Sequence, residues 1–348
     1  MATLWFWLCS VMVAVYVVMD GYDFGAGALH LAVARTNEER RTVLGALGPF
    51  WDGNEVWLLA GGGSLFLAFP RVLGTGFSGF YLAMFLVVWA LALRGISLEF
   101  RSHVQGTLWR AFWDVAFMLA SAALPVLFGA ALGNVLRGVP ITVDGTFALP
   151  LFTDFSASNP VGLLDGYTVL VGVFALAVLL LHGSLFLAWR TEGPVHDRAA
   201  ALAPKLAIGA AVLWPGVAFA THHVNPALFP ALPGRPLAVV ATLIVAAGVV
   251  LVAVGLRQGR HLLAFLGSGA FLLGLLAAAA ASVFPVMLRS SLDPAWSLTA
   301  FNSASSEASL RTGLGWWFVG LPLAITYLTV LFRLHRGKVR PAGEGEGY

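Results

Sequence analysis

Four carboxylates interrupt the most apolar stretches near the N-terminus of this chain. Asp20 and Asp23 lie in "MDGYDFGAG", and Asp52 and Glu55 lie in "GPFWDGNEVWLLAGGGSLFLAFP" (48–70), flanked by Trp51 and Trp57. Each pair is spaced by three residues, which puts its members on one face of a continuous helix. A carboxylate in a bilayer costs roughly 2.5–3.5 kcal/mol on insertion scales, so four of them call for a use. One use is proton transfer: a carboxyl at that depth favours its neutral form and exchanges a proton near neutral pH. The other is structural, through hydrogen bonds between helices or an ion pair with Arg94 in "LALRGISLEFR".

Further titratable groups follow in "GISLEFRSHV", where Glu99, Arg101 and His103 fall in a loop between apolar spans. A carboxylate and an imidazole there could collect protons, because histidine titrates near physiological pH. A solvated loop needs no such role, and the residues alone favour that simpler reading. His182 in "LLLHGSLF", and His222 with His223, raise haem ligation, since a haem iron takes one or two axial side chains. A lone histidine in an apolar helix more often bonds a neighbouring helix. No CxxCH, HExxH or clustered His/Cys pattern occurs, so no metal site is expected.

The elements that must position these groups are membrane helices. Of 348 residues, 59% are hydrophobic and 11% charged, against about 25% charged in soluble domains. Nine apolar runs of spanning length predict an all-α polytopic bundle, at about 4–33 (interrupted at "DGYDFG"), 46–69, 74–96, 109–133, 163–189, 203–222, 237–256, 262–288 and 313–333. Pro and Gly mark most junctions. Fifteen of the twenty Lys and Arg fall in one set of loops, including Arg35, Arg40, Arg41, Arg190 and Arg333. The positive-inside rule makes that set cytoplasmic, with the N-terminus outside and the C-terminus inside. Asp23 and Asp52 are then expected roughly 12–18 Å from the cytoplasmic ends of their helices, at the rise of an α-helix.

The net charge of +3 is spread over short clusters and forms no basic face for nucleic acid. The one cysteine, Cys9, excludes a disulfide framework. No charged leader or cleavage pattern surrounds the first apolar run, which is expected to be retained as a helix. Residues 1–337 are expected to form a single membrane domain, followed by a short disordered cytoplasmic tail, 338–348. The connection at 134–162 faces outward and is too short for a second domain. Gly21 with Gly25, Gly129 with Gly133, and Gly61 to Gly63 are small-residue seams that let helices approach, within the chain or with a partner. The triple glycine also leaves room for a lipid or quinone tail.

Several of these stretches together resemble subunit II of the cytochrome bd-type quinol oxidases: "MDGYDFGAG" (19–27), "FWDGNEVWLLAGGGSLFLAFP" (50–70), "FSGFYLAMFLVV" (77–88), "LRGISLEFRS" (93–102), "WDVAF" (113–117), "LGNVLRGVP" (132–140), "FP" (284–285) and "NSASS" (302–306). They occur in the family's order from the first helix to the last. The resemblance implies a subunit of a complex in the bacterial cytoplasmic membrane that oxidises a membrane quinol and reduces oxygen to water with cytoplasmic protons, as part of aerobic respiratory electron transport.

It further implies that two b-type haems and one d-type haem reside in a partner, subunit I, and that this chain holds none. A small accessory subunit and a structural quinone occur in some members. By the same resemblance Asp52, beside Trp51, and Asp23 match the family's polar pathway toward the oxygen-reducing haem. Glu99 and His103 fall where some members carry an acidic residue and a lysine. Glu55 stands where some members have glutamine, and Asp20, Arg94 and Arg101 accompany these positions. Two rivals predict different behaviour: a proton-coupled transporter, and an electron-transfer subunit whose haem is held by His182.

Overall fold

The computed structural model describes residues 1–154, 162–230 and 232–339. Among the described residues, twelve α-helices carry the fold: α1 (Ala2–Ala28), α2 (His30–Val33), α3 (Asn37–Leu47), α4 (Trp51–Ala68), α5 (Pro70–Gly79), α6 (Tyr81–Phe100), α7 (Thr107–Arg137), α8 (Gly166–Arg190), α9 (Gly193–Val224), α10 (Pro236–Arg257), α11 (His261–Val283) and α12 (Glu307–Leu334). A two-stranded antiparallel ribbon, β1 (Val286–Leu288) and β2 (Leu298–Thr299), sits between α11 and α12. Eight helices are long and apolar enough to cross a membrane, and α4 with α5 makes a ninth when the pair, bent by 117°, is taken as one span.

Three local differences from the sequence expectation bear on the site. First, α1 runs without interruption through Asp20-Gly21-Tyr22-Asp23 to Ala28. The glycines pack against a neighbouring helix, and their cost in helix propensity is offset there. Second, the residues after the first span form a separate polar helix, α3. Thr36 accepts from the Glu39 amide and the Glu39 carboxylate accepts from the Thr36 amide, a complete capping box. Glu39 is also gripped by both guanidinium nitrogens of Arg198 on α9, at 2.7 and 3.2 Å, and this hydrogen bonding lowers its carboxyl from 4.5 to about 2.

Third, the second span begins at Trp51 instead of near Leu44 or Ala46, because "GP" at Gly48-Pro49 separates it from α3. The third span likewise starts late, at Tyr81, since Pro70 opens the bent helix α5. The connection expected from residue 134 starts later, because α7 stays helical to Arg137 and ends at Gly138, whose φ of +100° suits glycine. The central part of that connection, 155–161, lies outside the described residues, as do 340–348 of the expected tail. Lys338 and Val339, at the start of that tail, are docked: Lys338 donates to Thr191 O at 3.0 Å and the Val339 amide to Arg190 O at 2.8 Å.

Packing follows the small residues. α1 crosses α8 at Gly25 and Gly183; a Cβ on Gly25 would lie 1.8 Å from Leu179 O, and one on Gly183 would lie 2.1 Å from Ala26 N. α7 meets α8 at Gly129 and Gly172 in the same way. These seams join helices of this chain. α1, α4, α6 and α7 pack together, α8 links them to α9 and α11, and α10 pairs with α11. α12 leans mainly on α4, with Trp5 of α1 donating to Leu310 O at 3.0 Å, and is the least buried span.

The crossing at Gly25 gives a direct test. Gly25→Ala must push backbone against backbone and should destabilise the detergent-solubilised protein by about 1–3 kcal/mol. Gly209→Ala, whose added Cβ meets nothing within 4 Å, should leave the thermal midpoint unchanged or higher. Equal midpoints for the two variants would show that the α1–α8 contact is looser than described.

Candidate functional site

Near the end of the bundle that holds the basic loops, α1, α4 and α6 bring their charged residues together. Arg94 of α6 is 0% exposed, and its guanidinium pairs with Asp20 of α1 at 2.8 Å and with Glu55 of α4. It also lies over the Phe24 ring, 4.7 Å from the centroid. Asp23, one turn further along α1, accepts from Asn54 Nδ2 at 2.7 Å, and the same nitrogen lies 2.7 Å from the Tyr22 hydroxyl. Tyr16 completes the α1 face, with its hydroxyl directed toward Asp20.

Asp20, Asp23 and Asn54 are all buried within the chain. Positions 16, 20 and 23 form one stripe of α1, so the cluster is laid out along the helix axis. It lies roughly 9–12 Å from the ends of α1 and α6 at 1.5 Å per residue.

One guanidinium faces three carboxyls. The cluster is electrically neutral only when two of the three carry protons, and a net charge in so dry a place is strongly opposed. Polar atoms remain that no protein group satisfies, among them Asp23 Oδ1 and Asn54 Oδ1. Buried polar atoms of this kind are usually met by ordered water. The arrangement is therefore suited to holding and passing protons.

Asp52 stands apart from this cluster. The expectation that it lies deep and faces the bundle interior is not met: it occupies the first turn of α4 and is exposed. The later start of α4 removes its depth, and the helical period turns it away from the buried face made by Gly53, Asn54, Trp57 and Gly61. It shares a face with Glu55, which is 26% exposed and is the point where the buried cluster reaches the surface. Trp51 is half-buried and rests against Gly95.

The remaining candidates lie elsewhere. Glu99 and His103 are exposed at the end of α6, where the His103 ring nitrogen Nδ1 donates to the Glu99 backbone carbonyl at 2.8 Å. Arg101 is instead drawn into a second buried hub around Asp114 of α7, at 2.5 Å. His30 and Arg40 bind the same carboxylate at 2.7 and 2.8 Å, so α2, α3, α6 and α7 meet there. Asp114 lies inside the span expected at 109–133 and within "WDVAF", yet it is not among the candidates that the sequence pattern singles out. Nor are Asn54 and Tyr22, because a neutral polar residue in an apolar run carries little signal of its own.

The buried histidine does not fit haem ligation. His182 Nε2 donates to Val18 O at 3.1 Å, Nδ1 lies 2.6 Å from Ser268 Oγ, and the ring stacks on Phe265. Both nitrogens are committed to neighbouring helices. Among the described residues, no three of His, Cys, Asp and Glu stand close enough to hold a metal ion.

A polytopic α-helical fold with charged side chains held inside its bundle defines an integral membrane protein with titratable groups buried between its helices. The chain belongs to the cytochrome bd terminal oxidase subunit II family, whose model matches residues 1–335. It is 37% identical over 205 residues to cytochrome bd-I ubiquinol oxidase subunit 2 of Escherichia coli K12, a match covering 59% of this chain and about half, 53%, of that protein. Longer matches are to the probable cytochrome oxidase subunit 2 of Haemophilus influenzae (31% identity, 93% of this chain and 91% of that one) and to cytochrome bd ubiquinol oxidase subunit 2 of Bacillus subtilis (33%, and 88% of each). The solved bd oxidase from Geobacillus thermodenitrificans shares the fold, with a TM-score of 0.74 at 19% identity over 96% of this chain and 98% of that one.

The weight carried by Arg94 is measurable. Arg94→Gln leaves Asp20 and Glu55 without their cation, and removal of one partner from a buried pair costs about 3–5 kcal/mol. The variant should lose most folded protein in a detergent stability assay, and adding Asp20→Asn should recover part of the loss. A stable single variant would mean that Arg94 is not neutralising the cluster.

Proposed function

We propose that this chain is the haem-free membrane subunit of a bd-type quinol:oxygen oxidoreductase in a bacterial cytoplasmic membrane, packing against a haem-bearing subunit I and helping to bring it cytoplasmic protons. Family membership supports the setting, and the named relatives are oxidase subunits. Reduction of one oxygen molecule to two waters consumes four electrons and four protons, supplied on the electron side by two quinols. Each electron that reaches a buried centre must be matched by a proton, or the low-dielectric interior opposes the next one. The chain's own part is proton handling; no redox step passes through it.

The observation that carries this reading is the shape of the α4 surface. Asp52, Val56, Leu59, Gly63 and Phe66 form an exposed stripe with spacings of four and three residues, the pattern of a helix–helix seam. An aspartate at its start and an uncrowded glycine within it suit a protein partner better than lipid. Glu55 lies on the edge of the same stripe. The buried carboxyls thus open toward the surface on which subunit I is proposed to dock. Protons entering from the basic end, taken as cytoplasmic, would meet Asp52 and Asp23 first and then, deeper in the bundle, Glu55 and Asp20. Glu99 and His103 are placed to gather them at the surface nearby. Whether a structural quinone or an accessory subunit joins the complex does not alter this route.

Asp52→Asn keeps shape and removes the exchangeable proton. A fully haem-loaded complex carrying it should assemble normally and consume oxygen about 10²-fold more slowly, the low end of the range for positioned proton-transfer groups. Unchanged oxygen consumption at equal haem content would remove Asp52 from the route.

A further inference from the structure

One part of the α12 surface is a groove. Between α1 and α12 lies an open cleft of about 470 Å³ whose wall is made by Met19, Ile325, Leu328 and Phe332. Thr329, also on the wall, donates its hydroxyl to Ile325 O at 2.7 Å, which uses its polar group within the helix. The charge is confined to one end, where Arg333 and Arg336 line the cleft. Among the described residues neither guanidinium is paired with a carboxylate. From Ile325 to Arg333 the cleft follows α12 for about 12 Å, at 1.5 Å per residue, and Arg336 lies just beyond the helix end.

The cleft is also set apart from the surface assigned to subunit I. Tyr327 and Leu331 rest against Gly53 of α4, whereas Ile325, Thr329 and Arg333 lie on the opposite flank of α12, with Leu328 and Phe332 between the two flanks. An apolar trough of this length, ending in two guanidinia that face no carboxylate among the described residues at the basic end of a membrane bundle, has a specific chemical complement. Guanidinium recognises phosphodiester oxygens by paired hydrogen bonds, and basic pockets between spanning helices gather anionic head groups.

We propose that this groove is a binding site for an anionic phospholipid, with its phosphodiester between Arg333 and Arg336 and an acyl chain along Met19, Ile325, Leu328 and Phe332. The site is independent of the proton-handling reading, since none of its residues belongs to the carboxylate cluster.

The test uses the assembled complex, extracted in mild detergent and transferred to phosphatidylcholine nanodiscs containing graded phosphatidylglycerol. Retained lipid is measured by native mass spectrometry, with intact haem content as the check on assembly. The wild-type complex should keep a phosphatidylglycerol on this chain in preference to phosphatidylcholine. Arg333→Gln with Arg336→Gln should weaken that retention about thirtyfold, two surface cations' worth, whereas the double Lys variant should keep most of it. Thr329→Trp, which fills the trough and leaves both cations in place, should also release the lipid and decides the matter if the double Gln variant does not assemble. Lipid retention at the wild-type level in the Gln and Trp variants, no preference for the anionic lipid, or a quinone recovered in place of phospholipid would each overturn the proposal.

Discussion

The guanidinium of Arg94 is sealed from solvent, and a charge in that position is tolerated only while carboxylates from two other helices remain against it. That requirement fixes the register of α1, α4 and α6 at one depth. It also explains why α1 cannot be broken at "DGYDFG": an interruption would separate Asp20 from Asp23 and turn one of them out of the stripe they share with Tyr16. Glycine within this segment has a packing use, because the opposite side of the same turns must lie against Leu179 of α8. The polar face and the close-packed face of α1 are therefore two consequences of one short sequence.

The basic end is held by further polar ties. The Asp114 hub joins α2, α3, α6 and α7 through His30, Arg40 and Arg101, and Arg198 clamps α3 to α9 through Glu39. Arg190 reaches the backbone carbonyls of His335 and Gly337, which ties the end of α12 to α8. These ties hold the helix ends at the basic side in place, a condition that the proposed route sets for groups that must stay within hydrogen-bonding reach of one another.

Much of this was legible from residue types. The membrane bundle, its span count and the charged residues of the cluster all follow from apolar run lengths and from carboxylates and an arginine placed where lipid forbids them. What escaped was set by helix boundaries and by partners. The depth of Asp52 depended on where the second span begins, and Gly48-Pro49 signals that boundary more strongly than the apolar count that ran through it. The spacing in Thr36-Asn37-Glu38-Glu39, Thr then Glu three residues later, announces the cap of α3, yet a continuous hydropathy reading merges α3 with its neighbours. Asn54 and Tyr22 matter through tertiary hydrogen bonds to a helix distant in sequence, which no local pattern encodes. Arg101 could be seen as a loop cation but its burial against Asp114 could not.

The central claim is that the buried carboxyls carry protons to a partner that reduces oxygen. The most direct measurement is proton uptake, followed with a pH-sensitive dye during a single turnover of the haem-loaded complex, in wild type and in Asp23→Asn. The account predicts uptake slowed together with oxygen reduction in the variant, at unchanged haem content and unchanged electron input from quinol. Uptake that keeps the wild-type rate in the variant would contradict it and leave the Arg94 cluster as a purely structural tie.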